Sequence, residues 1–284
     1  MELGEHARST AELRGVEAQQ GEHMKALWGA ALAIGLFGLA SAASAETLTV
    51  GAYAANPPWE VKKEDGSFEG FEIDLVNAIA EKLGVDVEFQ DLGFQALFAA
   101  TASGRIDAAI SSITITNERL KNQDFTQGYY DADLGIGAKS DGAVKTLADL
   151  KGKTVGVLAT STGDQWAQAH KDEAGFANIL SYPTNEAMLL DTFNGRTDAS
   201  ITDVTGMQFA FKQMQGMEVV DKIRSGDRYA IMLGKGSAWT PRLNDAISEL
   251  KTEGTVAKIY EKWFGVAPDP DTSTVMVVDL PKAE

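Results

Sequence analysis

Ser112, Thr114 and Thr116 alternate through the stretch SSITITNER, residues 111–119, which ends on the guanidinium of Arg119. Hydroxyls on alternate positions of an apolar run share one side of a strand, and an arginine just past its end completes a cradle for a carboxylate. The plainer alternative is a threonine-rich pleated surface with Arg119 solvated or paired to Asp124 or Glu118. A second stretch, Ser161-Thr162-Gly163, opens a helix, where free N–H groups and the positive dipole end favour an anion. The same residues also suit an ordinary helix cap. Asp203 follows a short apolar strand and can take an ammonium, or serve as a loop or cap residue. Taken together, an anion clamp and a cation acceptor match a zwitterion.

Composition removes competing chemistries. The 284 residues include no Cys, which rules out disulfides, thiol catalysis and cysteine-based zinc sites. Forty-one acidic against 25 basic residues give a net charge of −16, which argues against nucleic acid as a partner, since phosphate binding needs a dense basic patch. Residues 24–45, MKALWGAALAIGLFGLASAASA, join a short basic start, an apolar stretch and the ending Ala43-Ser44-Ala45. That is the pattern of a secretory signal peptide cut before Glu46. A retained membrane anchor is the alternative, but the stretch is short for a span and no strongly basic flank follows. Residues 1–23 are polar, precede a second methionine and read as a disordered upstream extension. Without residues 1–45 the chain keeps 36 acidic and 22 basic residues, and His170 is its one histidine. A hydrolytic triad or a histidine-rich metal site is therefore not expected, and no cofactor is implied.

Strands and helices must position these groups, and they alternate from residue 47 onward. TLTVGAY (47–53) reads as a buried strand, Asp65-Gly66 as a hairpin-like turn, and Phe71 to Leu83 as a helix with apolar residues at Leu75, Val76, Ile79 and Leu83. VDVEF is a strand, Phe94 to Ala102 a helix, and IDAAISSITI a further strand. A second cycle of the same order starts near Leu147: strand TVGVL, a helix from TSTGDQW, a helix over Asn185 to Phe193, a strand at Asp198 to Ile201 and a helix over Val204 to Phe211. Two helices split at Gly254 follow, and VMVVDL is expected as an extra strand. Repeated strand-helix-strand order implies α/β lobes with mostly parallel sheets flanked by helices, and a ligand cleft outside the strand ends.

Several ordered motifs carry a family resemblance. GFEIDLVNAIAEKLG (70–84), AAISSITITNERLKNQDFTQGYY (108–130) and GTVAKIYEKWFG (254–265) resemble the signature, ligand strand and C-terminal helix of bacterial extracellular solute-binding proteins of the polar amino-acid type, which serve ABC importers. The resemblance spans roughly residues 46–266. It implies the two-lobed periplasmic-binding-protein fold joined by two hinge strands: lobe 1 from 46–132 and 231–268, lobe 2 from 133–230, and a tail over 269–284. It implies capture of an amino acid or close derivative by lobe closure, delivery to a permease in the inner membrane, a periplasmic location, a monomer and no catalysis. By the same resemblance Arg119 grips the ligand carboxylate, and Thr114 and Thr162 add main-chain N–H groups and hydroxyls, with Ser161 beside them. Ser112 bonds the ammonium, Asp203 neutralises it, and Phe94 forms an aromatic wall. One departure stands in YAANPPW: Tyr53 takes a position that is acidic in many relatives, Asn56 the first aromatic position, and Trp59 the last. Tyr53 is then either a core residue or a partner for the ligand side chain. Two alternatives remain: a cyclohexadienyl-dehydratase-like enzyme using Glu72 or Asp203 as an acid, and a ligand-sensing subunit for a separate receptor.

Overall fold

Four helices form over the residues that the apolar spacing predicts. In the computed structural model, residues 45–283 are described, so the upstream extension and the signal peptide, Ala45 apart, lie outside the described residues. The chain begins with β1 (Thr47–Ala52), a small hairpin of β2 (Ala55–Asn56), β3 (Glu60–Lys62) and β4 (Phe68–Glu69), and helix α1 (Phe71–Leu83). Helix α1 buries Phe71, Leu75, Val76 and Ile79 and is closed by Gly84 in the left-handed region. Gly70 before it is required: its φ is +145°, and a Cβ there would lie 2.0 Å from the Trp59 carbonyl oxygen. Then come β5 (Asp86–Asp91), α2 (Phe94–Ala102), β6 (Ala108–Ala109), α3 (Asn117–Leu120), β7 (Gln123–Phe125) and the long β8 (Tyr130–Lys139). The second cycle runs β9 (Thr154–Leu158), α4 (Thr162–Ala169), α5 (Lys171–Ala174), β10 (Asn178–Tyr182), α6 (Asn185–Phe193), β11 (Ala199–Asp203), α7 (Val204–Phe211) and β12 (Met217–Tyr229). The chain returns through β13 (Met232–Gly234) to α8 (Trp239–Thr252) and α9 (Thr255–Phe264), with Gly254 between them at φ 75°.

Two five-stranded sheets result, in the orders β5-β1-β6-β13-β7 and β10-β9-β11-β8-β12. Each combines two parallel and two antiparallel pairings. In the first, β1 runs parallel to β5 and β6 while β13 is antiparallel to its neighbours. In the second, β9 is parallel to β10 and β11 while β8 is antiparallel to β11 and β12. The antiparallel pairs are made by β8, β12 and β13, the strands that carry the chain out of the first sheet and back. Separate apolar cores support the two sheets. Leu48, Val50, Leu75, Ile79 and Ile247 lie under the first, and Ile136, Val155, Val157 and Ile201 under the second.

Two expected strands do not form as read. The run from Ile106 to Ile115 is a strand only at Ala108–Ala109. Ser112 adopts φ 44° and turns its N–H onto the Glu72 carboxylate at 2.8 Å, which breaks the pleat, so Ser112, Thr114 and Thr116 do not share one strand face. Thr114 keeps a single bridge, to Tyr229, and Thr116 caps α3. VMVVDL forms no strand either, because side chains rather than a sheet edge satisfy this backbone. The Met276 carbonyl accepts from Lys251 Nζ at 2.9 Å, and the Val278 N–H donates to Gln127 Oε1 at 3.2 Å.

Lys251 thus ties the C-terminal tail to the molecule, donating also to the Gly128 carbonyl at 2.6 Å and to Gln127 Oε1 at 2.8 Å. Burial lowers its amine to about 7, against a smaller pull upward from Asp131. Between about 7 and the ordinary 10.5 the folded chain therefore binds fewer protons at this site than the unfolded one, and the site adds stability as pH rises through that window. The melting temperature of the wild type is expected to gain on that of Lys251→Met between about pH 7 and about pH 9.5. A constant difference in paired calorimetric scans would refute the depressed amine.

Candidate functional site

Loops from both sheets enclose a cavity of about 550 Å³. Of the residues singled out in the sequence, Tyr53, Phe94, Ser112, Thr114, Arg119, Ser161, Thr162 and Asp203 all line it. Trp59 does not. It is fully buried against Phe71, Tyr130, Tyr229 and Phe264, which makes it a core residue rather than a wall of the cavity.

Arg119 sits in the short α3, whose start is fixed by the Thr116 hydroxyl accepting the Arg119 N–H at 3.2 Å. Its side chain is buried, donating to the Thr114 carbonyl at 2.8 Å and to the Thr160 carbonyl at 3.2 Å, with the guanidinium 5.0 Å from the Phe98 ring centroid. Neither surface partner suggested by the sequence takes it: Glu118 pairs with Lys121, and Asp124 with Lys235. Burial pulls the guanidinium down to about 10, and the neighbouring Asp227 opposes that. A cation of this kind, solvated by two carbonyls and retaining free N–H donors, is prepared for an anion.

Asp203 ends β11 and caps α7, accepting from the Gly206 N–H and from the Tyr229 hydroxyl at 2.7 Å. Burial raises its carboxyl above the usual range, and those donors pull it back. Ser161 caps α4, accepting the Asp164 N–H at 3.1 Å. Gly163 lets that helix start close to β11, since a Cβ there would lie 2.6 Å from the Ile201 carbonyl oxygen. The hydroxyls of Thr114 and Thr162 are already engaged. Both donate to Asp227 Oδ2, at 3.3 and 3.0 Å. The resemblance implied that these hydroxyls point to a ligand, and here they point to a carboxylate of the chain itself.

Contacts cross between the two sheets' loops. The Asn185 N–H donates to the Tyr53 hydroxyl at 3.2 Å, and Asn185 Nδ2 donates to Asn56 Oδ1 at 3.2 Å. Tyr53 is thereby both buried and part of the lining. Sequence reading missed Asn185, Glu186, Leu189, Met207 and Tyr229 in the lining, and Asp227 behind it. Asn185 was legible only as a helix start. Nothing in the charged run around Asp227 marked one acid among several.

Residues 48–266 match the family model of bacterial extracellular solute-binding proteins, family 3. The chain belongs to that family. It is 32% identical over 244 residues to the L-arginine-binding protein of Pseudomonas aeruginosa, covering 82% of this chain and 94% of that one. Among solved structures it is similar to an ancestral arginine-binding protein bound to arginine, with a TM-score of 0.73 at 40% identity over 78% of this chain and all of that one. An ancestral arginine-binding protein bound to glutamine gives a TM-score of 0.72 at 39% identity, over 78% and 98%.

In this solute-binding chain the floor beneath Ser112 is a pair of fully buried carboxyls, Glu60 and Glu72. Glu72 accepts from the Ser112 N–H and the Tyr129 hydroxyl, while Glu60 Oε1 accepts from the Ser111 hydroxyl and Asn56 Nδ2. Asn56 Nδ2 also reaches the Ser112 hydroxyl at 3.1 Å, so one network holds the strained Ser112. Glu60 Oε2 receives no donor. Burial, reinforced by the neighbouring Glu72 charge, drives the Glu60 carboxyl well above its usual value. A proton on Glu60 then supplies the donor that two adjacent carboxylates lack. Glu72 does not line the cavity and is fully committed, so it is not placed to act as an acid on a bound molecule. Because folded Glu60 holds its proton above the ordinary 4.5, this site loses stability as pH rises through the window above that value. Glu60→Gln, which keeps a donor without a charge, is expected to gain in melting temperature relative to wild type between about pH 5 and about pH 8. An equal gap at both values in thermal unfolding would count against the shared proton.

Proposed function

We propose that this protein captures an amino acid or a close derivative in the cleft between two lobes and hands it to an ABC-type permease, acting in the periplasm as a binding protein rather than an enzyme. The observation that carries this reading is that Arg119, from the first sheet's loops, and Asp203, from the second sheet, line one cavity. A guanidinium on one side and a carboxylate on the other match the two ends of a zwitterion, and only closure brings both within reach. We place the lobes at 46–132 with 231–268 and at 133–230, with β8 and β12 as the connection. The named ligands of the relatives, arginine and glutamine, support the amino-acid class. Phe94, Leu158, Leu189, Met207 and Met214 supply the apolar walls for the ligand side chain.

A thermal-shift screen of the common amino acids identifies the ligand, since a molecule that binds only the folded form raises the melting temperature. With that ligand, Arg119→Ala is expected to lose about 3–5 kcal/mol of binding in calorimetric titration, because a desolvated carboxylate is left unpaired. Unchanged affinity would reject the clamp. Asp203→Asn is expected to weaken the amino acid more than its deaminated analogue. Equal weakening of the two would remove Asp203 from the ammonium end.

A further inference from the structure

A carboxylate of the chain itself stands directly behind the carboxylate end of the cleft, beyond the lining residues Thr114 and Thr162. Asp227 Oδ2 accepts both threonine hydroxyls, from Thr114 and from Thr162, and its charge acts on Arg119. A hydroxyl has one proton. With both protons turned to Asp227, the hydroxyls of Thr114 and Thr162 have only oxygen lone pairs left for a ligand, and the donors that remain at this end are main-chain N–H groups and Arg119. At those two hydroxyls an incoming carboxylate meets lone pairs backed by a negative charge, and the attraction of Arg119 is partly spent on Asp227. A ligand with an uncharged group at that end meets none of this repulsion, and it can donate a hydrogen bond to the same lone pairs.

Resting on the reading above, we propose that Asp227 is a specificity-determining residue that weakens the hold on a free α-carboxylate, so that the cleft also admits amino-acid derivatives whose α-carboxyl is neutral, such as primary amides. Asp227 also joins Thr114 on the first sheet's side to Thr162 on the second, so removing it changes closure as well. That change acts on every ligand alike, whereas the electrostatic effect acts only on the charged ones, and the ratio of the two affinities isolates it.

The test is calorimetric titration of wild type, Asp227→Asn and Asp227→Ala with L-arginine, L-glutamine and L-leucine, each paired with its α-carboxamide. Circular dichroism confirms that both variants are folded, and either one suffices. For every pair that binds, the preference for the free acid over the amide is expected to rise about tenfold in the variants, as loss of one like charge at short range implies. An unchanged ratio, with both ligands weakened or strengthened together, overturns the proposal and leaves Asp227 a closure contact. A falling ratio overturns it too, by making Asp227 a support for carboxylate binding. The underlying reading fails separately, and takes the proposal with it, if the wild type binds none of the three amino acids or if Arg119→Ala leaves the wild-type ratio intact.

Discussion

A guanidinium buried without a hydrogen-bonded carboxylate is the constraint around which this molecule is arranged. Arg119 has its charge met by two main-chain carbonyls, one from Thr114 beside it and one from Thr160 across the cleft. A buried charge is costly unless its surroundings are polar and fixed. Unusual backbone stands at the one carbonyl and just before the other. Thr160 has φ 66°, and Thr114 follows shortly after Ser112, at φ 44°. Ser112 and Thr160 are the two non-glycine residues with positive φ among the described residues; the first lines the cavity and the second gives its carbonyl to Arg119. Strain is thus concentrated where a cation must be held open for an outside partner.

That strain is maintained from behind. The Ser112 N–H is fixed by Glu72, a residue of α1, and Glu72 is held in turn by Tyr129, at the end of the segment leading into β8. The carboxyl pair therefore connects the helix that packs the first core, the floor of the cavity and the start of the crossing strand. A two-state cleft needs a rigid frame on each side of its hinge, and a buried carboxyl pair in which burial and the Glu72 charge favour a proton on Glu60 provides one.

The fold was legible because its helices are amphipathic at regular spacing. Phe71–Leu83, Phe94–Ala102, Asn185–Phe193 and Val204–Phe211 all carry their boundaries in their apolar pattern and flanking caps. Ser111 to Thr116 was misread because the alternation of hydroxyls imitates a strand, while the deciding interaction, Ser112 to Glu72, spans 40 positions of sequence. The cleft residues Arg119, Asp203 and Thr162 were legible as chemistry at strand ends. Asp227 was not, since its importance lies in two hydroxyls contributed from positions 114 and 162. Trp59 was misplaced because an aromatic after two prolines looks the same in sequence whether it faces a cavity or a core.

The charges of the lining also bear on which side chain the cleft can hold. Its acidic and basic side chains are one guanidinium, Arg119, and two carboxyl groups, Asp203 and Glu186. On the proposed function Arg119 and Asp203 are matched by the two ends of the ligand, which leaves Glu186 for the side chain. Glu186 opens α6 next to Asn185, whose N–H meets the Tyr53 hydroxyl, so it lies near Tyr53. A second carboxylate on the ligand would face Glu186 with no cation in the lining besides Arg119 to balance it, which disfavours acidic amino acids. A cationic or neutral polar side chain meets no such penalty, and the tyrosine hydroxyl beside it allows either.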